Sequence, residues 1–383
     1  MGLPLALVFA RKGLRVLIHD VNENSLETIL RGDLPFMEHG AKPLLDKALK
    51  NGFLCLSPRP GDIAGASTVI ITIGTPIDEF MNPDTKVMRR CLDELLPYLR
   101  DGQLVILRST VYPGTTHWLD KYLREHGKKM KVAFCPERVV QGFAIEELQR
   151  LPQIVSGTTP QAENEAAKLF GVIAPNVVRM KPMEAEFAKL FNNAYRYIHF
   201  AIANQFYMIA NSAGLDYNRI LEGMKKDYPR AGDVPKAGFA AGPCLFKDTM
   251  QLAAFADNQF SLGHGAMVIN EGLVHYVISQ IEKKYKLDRL TVGLLGMAFK
   301  ANSDDTRASL SYKLKKELMF HAKSVFTTDP HVTTDPSLLP AKEVIAKSDL
   351  LVLCVPHSRY RGLDTRGKPV IDLWGFFGKG TLI

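Results

Sequence analysis

Gly2-Leu3-Pro4-Leu5-Ala6, then Gly13, then Arg15-Val16-Leu17-Ile18-His19-Asp20: this opening stretch decides how the chain folds. A helix-like apolar segment passes through a glycine into a strand-like run that ends on an acid. In a dinucleotide-binding βαβ unit a glycine-rich turn precedes the helix, and an acidic side chain follows about 20 residues on. Asp20 stands where that acid belongs, able to accept from both ribose hydroxyls and to repel a 2′-phosphate, which favours NAD over NADP. Gly2 takes the third glycine position, where a missing side chain lets helix and strand pack closely. The first strand and the first two glycines of the pattern are missing, and with them part of the helix-terminus cradle for a pyrophosphate.

Downstream, short apolar runs alternate with amphipathic segments, the pattern of a parallel sheet. Strands are expected at Arg15–His19, Thr68–Ile73, Leu104–Arg108, Lys131–Phe134 and Gln153–Ser156. Helices are expected at Pro43–Asn51, Val87–Leu99 and Thr115–Glu125. The strand ends run into Gly74-Thr75-Pro76, Ser109-Thr110 and Cys135-Pro136, polar loops at the carboxyl edge where open α/β sheets bind ligands. From Pro182 the texture changes. Glu184 to about Leu215 is almost free of glycine and proline, with apolar residues at helical spacing, and a second helical region covers about 245–285. A smaller α/β pattern follows, with strands expected at Leu290–Leu295, Ser324–Thr328, Asp349–Val355 and Pro369–Leu373.

Composition narrows the class. The 383 residues are too many for one ordinary domain, and 46% hydrophobic with 23% charged residues describes a soluble globular chain. A net charge of +8 without a dense Lys/Arg tract suits an anionic metabolite and argues against nucleic acid. Cys55, Cys91, Cys135, Cys244 and Cys354 have neither disulfide nor zinc spacing, which fits a reducing cytosol and no metal. The apolar run at residues 1–10 is too short to span a bilayer, and its charges follow it, unlike a signal peptide. A cytoplasmic protein that does not enter a membrane is expected.

One loop carries potential chemistry. Gly242-Pro243-Cys244-Leu245-Phe246-Lys247-Asp248 puts a thiol, an amine and a carboxylate within five residues, after a Gly/Ala/Pro-rich run. Glycine leaves room for a substrate against backbone, and a nearby cation favours the nucleophilic thiolate. By itself the segment reads more readily as a buried structural cysteine beside a surface ion pair. Lys189 and Asn193, four apart on an expected helix, share one face and can offer a cation and a neutral donor to one oxygen.

Taken in order, the motifs resemble those of the nucleotide-sugar 6-dehydrogenases, which include the UDP-glucose and UDP-N-acetyl-mannosamine enzymes. They are Gly2-Leu3-Pro4-Leu5-Ala6, Gly74-Thr75-Pro76-Ile77-Asp78, Ser109-Thr110-Val111-Tyr112-Pro113-Gly114-Thr115 and Pro136-Glu137-Arg138-Val139. Ala188-Lys189-Leu190-Phe191-Asn192-Asn193, the Cys244 loop, Gly296-Met297-Ala298-Phe299-Lys300 and Asp304-Asp305-Thr306-Arg307 complete the series. The resemblance implies two Rossmann-like parallel-sheet domains joined by a helical middle domain with a long central helix. It implies boundaries at 1–180 for NAD binding, 181–286 for the helical dimerisation and catalytic domain, and 287–383 for nucleotide-sugar binding.

The activity it implies is four-electron oxidation of a sugar C6 alcohol to the uronic acid for polysaccharide biosynthesis. Cys244 would pass through a thiohemiacetal and a thioester. Lys189 and Asn193 would serve the first oxidation, Asp248 and Thr110 would hold a water, and Glu137 would assist thioester hydrolysis. Gly2, Asp20, Thr75, Pro76, Thr110 and Arg307 would hold NAD. Glu137, Arg138, Lys189, Asn193, Arg230, Phe299 and Lys300 would meet the substrate, with Arg230 reaching across the interface of a homodimer.

Two departures stand out. The loop Gly238-Phe239-Ala240-Ala241-Gly242-Pro243-Cys244 has one added residue and alanine at a usual glycine, and Pro243 removes an N–H beside the thiol. Substrate cues also divide. Pro136–Val139 and Ala298–Asn302 look like the UDP-N-acetylhexosamine branch, whereas Cys244–Asp248 looks like the UDP-glucose or GDP-mannose branch. Two other readings stay open: a two-electron dehydrogenase of the 6-phosphogluconate or 3-hydroxyacid type, and a catalytically inactive nucleotide-sugar-binding subunit.

Overall fold

The computed structural model describes residues 2–239 and 242–383, and the Ala241 substitution therefore lies outside the described residues. The chain divides into two compact units, Met1–Asn192 and Asn193–Ile383.

In the first unit a helix over Gly2–Arg11 leads into β1 (Val16–His19), which pairs in parallel with β2 (Leu54–Ser57). Five further strands form a separate sheet: β3 (Thr68–Ile71), β4 (Leu104–Leu107), β5 (Lys131–Phe134), β6 (Gln153–Gly157) and β7 (Val177–Arg179), adjacent in that order. β3, β4 and β5 run parallel, whereas β6 runs antiparallel to β5, a reversal that the alternating pattern did not reveal. In a doubly wound sheet the first strand lies between the second and the fourth. Among the described residues nothing fills that place between β1 and β3, so the sheet is split in two. All four residues of β1 are consequently half-exposed, while all four of β4 are buried.

The opening helix is itself part of the core. Leu3 to Ala10 are all buried, and they belong to one core with Leu45, Leu54, Ile106 and Val155. A second apolar layer, built from Val105, Leu107, Leu119 and Phe134 among others, covers the other face of the five-stranded sheet. The expected strands and helices at Lys131–Phe134 and Thr115–Glu125 match residue for residue. β2 and β7 escaped the reading because each is a short run with two or more exposed or half-exposed residues.

The long helix covers Pro182–Ser212, and the division between the units falls within it. In the second unit, the expected helical region at 245–285 is two helices, Leu245–Phe255 and Ser261–Lys284. The break carries Asp257 and Asn258 at φ of 49° and 58°, the left-handed region that asparagine and aspartate tolerate best among side-chain-bearing residues. A parallel sheet follows in the order β11 (Val370–Ile371), β10 (Leu350–Leu353), β8 (Thr291–Leu295), β9 (Ser324–Thr328). β8 is buried throughout and shares a core with Leu273 and Val277 of the second helix. Among the described residues no helix is long and apolar enough to cross a membrane.

Candidate active site

The loops at the carboxyl edge of the first unit are tied together by hydrogen bonds. Thr75 Oγ1 donates to the Thr110 carbonyl at 2.6 Å, joining the loop after β3 to the loop after β4. Glu186, fully buried on the long helix, accepts from Gly114 N at 2.6 Å, Thr116 N at 2.8 Å and Thr116 Oγ1 at 2.5 Å. Its carboxylate thereby caps the helix Thr115–Glu125, whose N-cap Gly114 has no side chain to do so. Half-buried Lys189 follows Glu186 by one turn of the same helix, so this cap fixes Lys189 relative to the Thr110 loop. Glu186 was not legible as functional, because a lone glutamate on an amphipathic helix reads as solvated surface.

Glu137 follows β5 and is almost fully buried. Its Oε2 accepts from Arg108 Nε at 3.1 Å and Nη2 at 2.6 Å, and its Oε1 from the backbone N–H groups of Arg138 and Val139. Arg108 is itself 1% exposed on its side chain, lies over the Phe170 ring, and also donates to the Cys135 carbonyl and Gln153 Oε1. The loop Pro136–Val139 is therefore held by a buried ion pair that the sequence, lacking any pattern for Arg108, did not announce. Arg138 is half-buried and donates to the Pro152 carbonyl; burial first, then the charge of Arg108, lowers its pKa.

Of the residues expected to hold NAD, Gly2 and Asp20 have the following surroundings. A β-carbon at Gly2 would lie 3.1 Å from Thr72 Oγ1, so the helix start is packed closely against the end of β3 and a larger residue would crowd that hydroxyl. Asp20 is exposed just after β1, and its Oδ1 accepts only from the nearby Asn22 N–H at 2.9 Å among the hydrogen bonds seen. A dinucleotide would thus meet the N–H groups that open the Gly2–Arg11 helix, the Asp20 carboxylate, and Thr75, Pro76 and Thr110 at the loop edge. Arg307, also expected among these ligands, lies in the second unit and forms a bidentate pair with Asp305.

In the second unit, Cys244 is exposed and stands at the N-cap position of the helix Leu245–Phe255. One turn on, Asp248 has a fully buried side chain that accepts from Asn193 Nδ2 at 2.5 Å and pairs with Lys247 Nζ at 2.5 Å. Cysteine helix and long helix are thus joined through the amide expected to face the substrate. Burial pushes the Cys135 and Cys354 thiols up to about 12 and Cys91 up to about 11, leaving Cys55 and Cys244 as the exposed thiols. Cys244 lies within electrostatic reach of Arg307, whose pKa rises chiefly through Asp305 and to a lesser degree through Cys244. Gly242 has φ of 120°, and a β-carbon there would lie 2.7 Å from the Phe299 ring, so the glycine retained in this unusual loop is the one the fold requires.

Arg230 is exposed beside Tyr228 and lines a hollow of about 310 Å³ with Tyr195, His199 and Asp233. Among the described residues no group of three or more His, Cys, Asp or Glu side chains could hold a metal ion.

Three domain models of one family match in sequence order. The NAD binding domain of the UDP-glucose/GDP-mannose dehydrogenase family matches residues 1–173, its central domain 183–271, and its UDP binding domain 293–379. UDP-N-acetyl-D-mannosamine dehydrogenase of Pyrococcus horikoshii is 30% identical over 97% of this chain and 92% of its own. This chain belongs to the UDP-glucose/GDP-mannose dehydrogenase family. NDP-N-acetyl-D-galactosaminuronic acid dehydrogenase of Ralstonia nicotianae is 27% identical over 98% of this chain and 94% of its own. The solved UDP-D-ManNAc dehydrogenase of Pyrococcus horikoshii superposes with a TM-score of 0.91 at 27% identity, covering 98% of this chain and 93% of that one. A UDP-glucose dehydrogenase from Pyrobaculum islandicum superposes at 0.89 with 26% identity, covering 97% and 91%. The chain is an NAD-dependent nucleotide-sugar dehydrogenase with parallel α/β sheets and a long helix within which its two units divide. Membership decides against the 6-phosphogluconate type of dehydrogenase.

Proposed function

We propose that this dehydrogenase oxidises the C6 alcohol of a UDP-N-acetylhexosamine, of the UDP-N-acetylmannosamine type, to the uronic acid through a covalent intermediate on Cys244. UDP-glucose is the competing substrate. The observation that carries the reading is the exposed Cys244 at the head of a helix whose next turn presents the Asn193–Asp248–Lys247 cluster. The N-acetyl preference rests on the relatives named above and on the Pro136–Val139 and Ala298–Asn302 loops. NAD, when bound, accepts one hydride in each of two oxidations.

In the first oxidation, Lys189 and Asn193 stabilise the negative charge that develops on the C6 oxygen. Asp248 orients Asn193 by accepting its amide N–H, and with Thr110 holds the water that carries the alcohol proton away. Cys244 sulfur then adds to the aldehyde carbon, and the resulting thiohemiacetal is oxidised to a thioester that water cleaves. Glu137 already accepts two hydrogen bonds on each oxygen, so it serves hydrolysis by holding Arg138 in place and presenting negative charge to the water. Arg138, Phe299 and Lys300 hold the nucleotide sugar.

The reading assigns three functional domains, 1–180, 181–286 and 287–383, in a cytoplasmic enzyme supplying uronic acids for a surface polysaccharide. It also assigns a homodimer in which Arg230 serves the partner's site.

NADH release across a panel of UDP- and GDP-sugars tests the reading. Two NADH per sugar are expected for the wild type on a UDP-N-acetylhexosamine, and loss of uronate formation in Cys244→Ser. Full four-electron turnover by Cys244→Ser would sink the covalent mechanism, and no turnover on any sugar would favour the inactive-subunit reading.

A further inference from the structure

At the carboxyl edge of the second sheet, two buried side chains take no part in the chemistry above. Asp329, just after β9, and His357, after β10, both have fully buried side chains, with His357 Nε2 3.0 Å from Asp329 Oδ2. The same carboxylate oxygen accepts from Met297 N at 2.6 Å and Ala298 N at 3.0 Å, and Oδ1 accepts from His331 N and Val332 N. His357 Nδ1 accepts from Asn302 N at 3.0 Å, which fixes the ring as the tautomer protonated on Nε2. Asn302 Oδ1 in turn accepts from Ser358 N and Oγ. The pair therefore grips the loop 297–302 at both ends, and that loop carries Phe299 and Lys300.

Two connections lead from this loop to the cysteine. The Phe299 ring lies so close over Gly242 that no side chain fits there, two residues before Cys244. Phe299 N donates to the Asp305 carbonyl at 2.8 Å, and Asp305 holds Arg307, the cation within electrostatic reach of Cys244.

We propose that Asp329 and His357 are positioning residues for the active site: through the 297–302 loop they set Phe299 and Lys300 against substrate and fix Phe299 and Arg307 around Cys244. The inference rests on the proposed roles of Cys244 and Lys300. A buried, fully paired charge network is costly to disturb and rigid when satisfied, which suits it to holding a substrate loop in register.

The test uses His357→Leu, which removes both ring hydrogen bonds, and Asp329→Asn, which keeps size but removes charge. His357→Gln, which retains a donor towards Asp329, serves as the rescue. The first readout is the rate of iodoacetamide capture at Cys244 by peptide mapping, with exposed Cys55 in the first unit as internal reference. Capture runs through the thiolate, so displacing Arg307 slows it; we expect roughly three-fold or more in His357→Leu, with most of the loss restored in His357→Gln. The second readout is a rise of about ten-fold in KM for the nucleotide sugar, with KM for NAD within about two-fold of wild type. A merely structural role would lower Tm and leave the Cys244/Cys55 ratio unchanged. An unchanged or faster ratio in folded His357→Leu, or in Asp329→Asn should the leucine variant not fold, overturns the proposal. Capture needs no substrate, so a shifted ratio in a chain that oxidises no sugar would fault the assigned reaction and leave the positioning role standing.

Discussion

Asp329 shows how one carboxylate can be read both as chemistry and as stability. Burial works against its charge, but the hydrogen bonds from His357 and from the N–H groups of Ala298 and His331 outweigh it, holding the carboxyl at about 2. A folded-state pKa below the unfolded one stabilises the fold above the unfolded value, and that contribution is lost as pH falls through the folded value. Asp329→Asn is therefore expected to cost about 2 kcal/mol at pH 6, and the Tm gap to wild type to narrow steadily between about pH 4 and pH 2. A gap that stays constant over that window would show that charge at Asp329 contributes nothing. At this scale Cys244, Lys189 and Asn193 were singled out by the order of the motifs around them, since type and spacing alone read as a buried cysteine and a solvated lysine. The sequence was silent on Arg108 and Glu186 and gave His357 only as a structural histidine without metal spacing, because each acts through a partner at least 28 positions away, and no local pattern encodes such a pairing.

Among the elements, the split in the first sheet has the clearest consequence. β1 and β2 form a two-stranded sheet, a unit only marginally stable without flanking support, and β1 is half-exposed throughout. β4 is buried at every position between β3 and β5. Hydrogen exchange measured by mass spectrometry should therefore be faster for peptides covering residues 16–19 and 54–57 than for 104–107, by roughly ten-fold or more. Equal protection would mean that the opening helix alone supports β1 as well as a neighbouring strand would. The alternating pattern of the sequence did not reveal that the strands of this unit would form two separate sheets.

Across the whole molecule, the long helix has two characters. Tyr195, Ile202, Phe206 and Ile209 are exposed and recur at helical spacing along one stripe, while Asn193 lies roughly 160° around the helix from Tyr195's side of it. An exposed apolar stripe of this kind is the mark of an interaction surface, and it adjoins the hollow lined by Tyr195 and Arg230. Sedimentation is expected to give a species of twice 42.6 kDa. Phe206→Glu with Ile209→Glu should shift it towards monomer, since burying two unpaired carboxylates in an apolar contact is strongly unfavourable. A wild-type monomer at assay concentration would remove the homodimer and the role of Arg230 in the partner's site.

Periodicity and motif order were enough to determine the α/β–helical–α/β layout and the use of NAD, and to single out Asp20 and Cys244 for the roles proposed above. Both kinds of signal are local: a strand, a helix or a loop motif is written in consecutive residues. What surrounds those motifs was decided only in three dimensions. Glu137 turned out to be held by Arg108, Arg307 to stand in the field of Cys244 with Asp305, and Phe299 to require glycine at position 242. The Arg108–Glu137 and Phe299–Gly242 contacts join distant parts of the chain, and burial gives the ion pair its strength: a charge removed from water must find a partner wherever packing brings one.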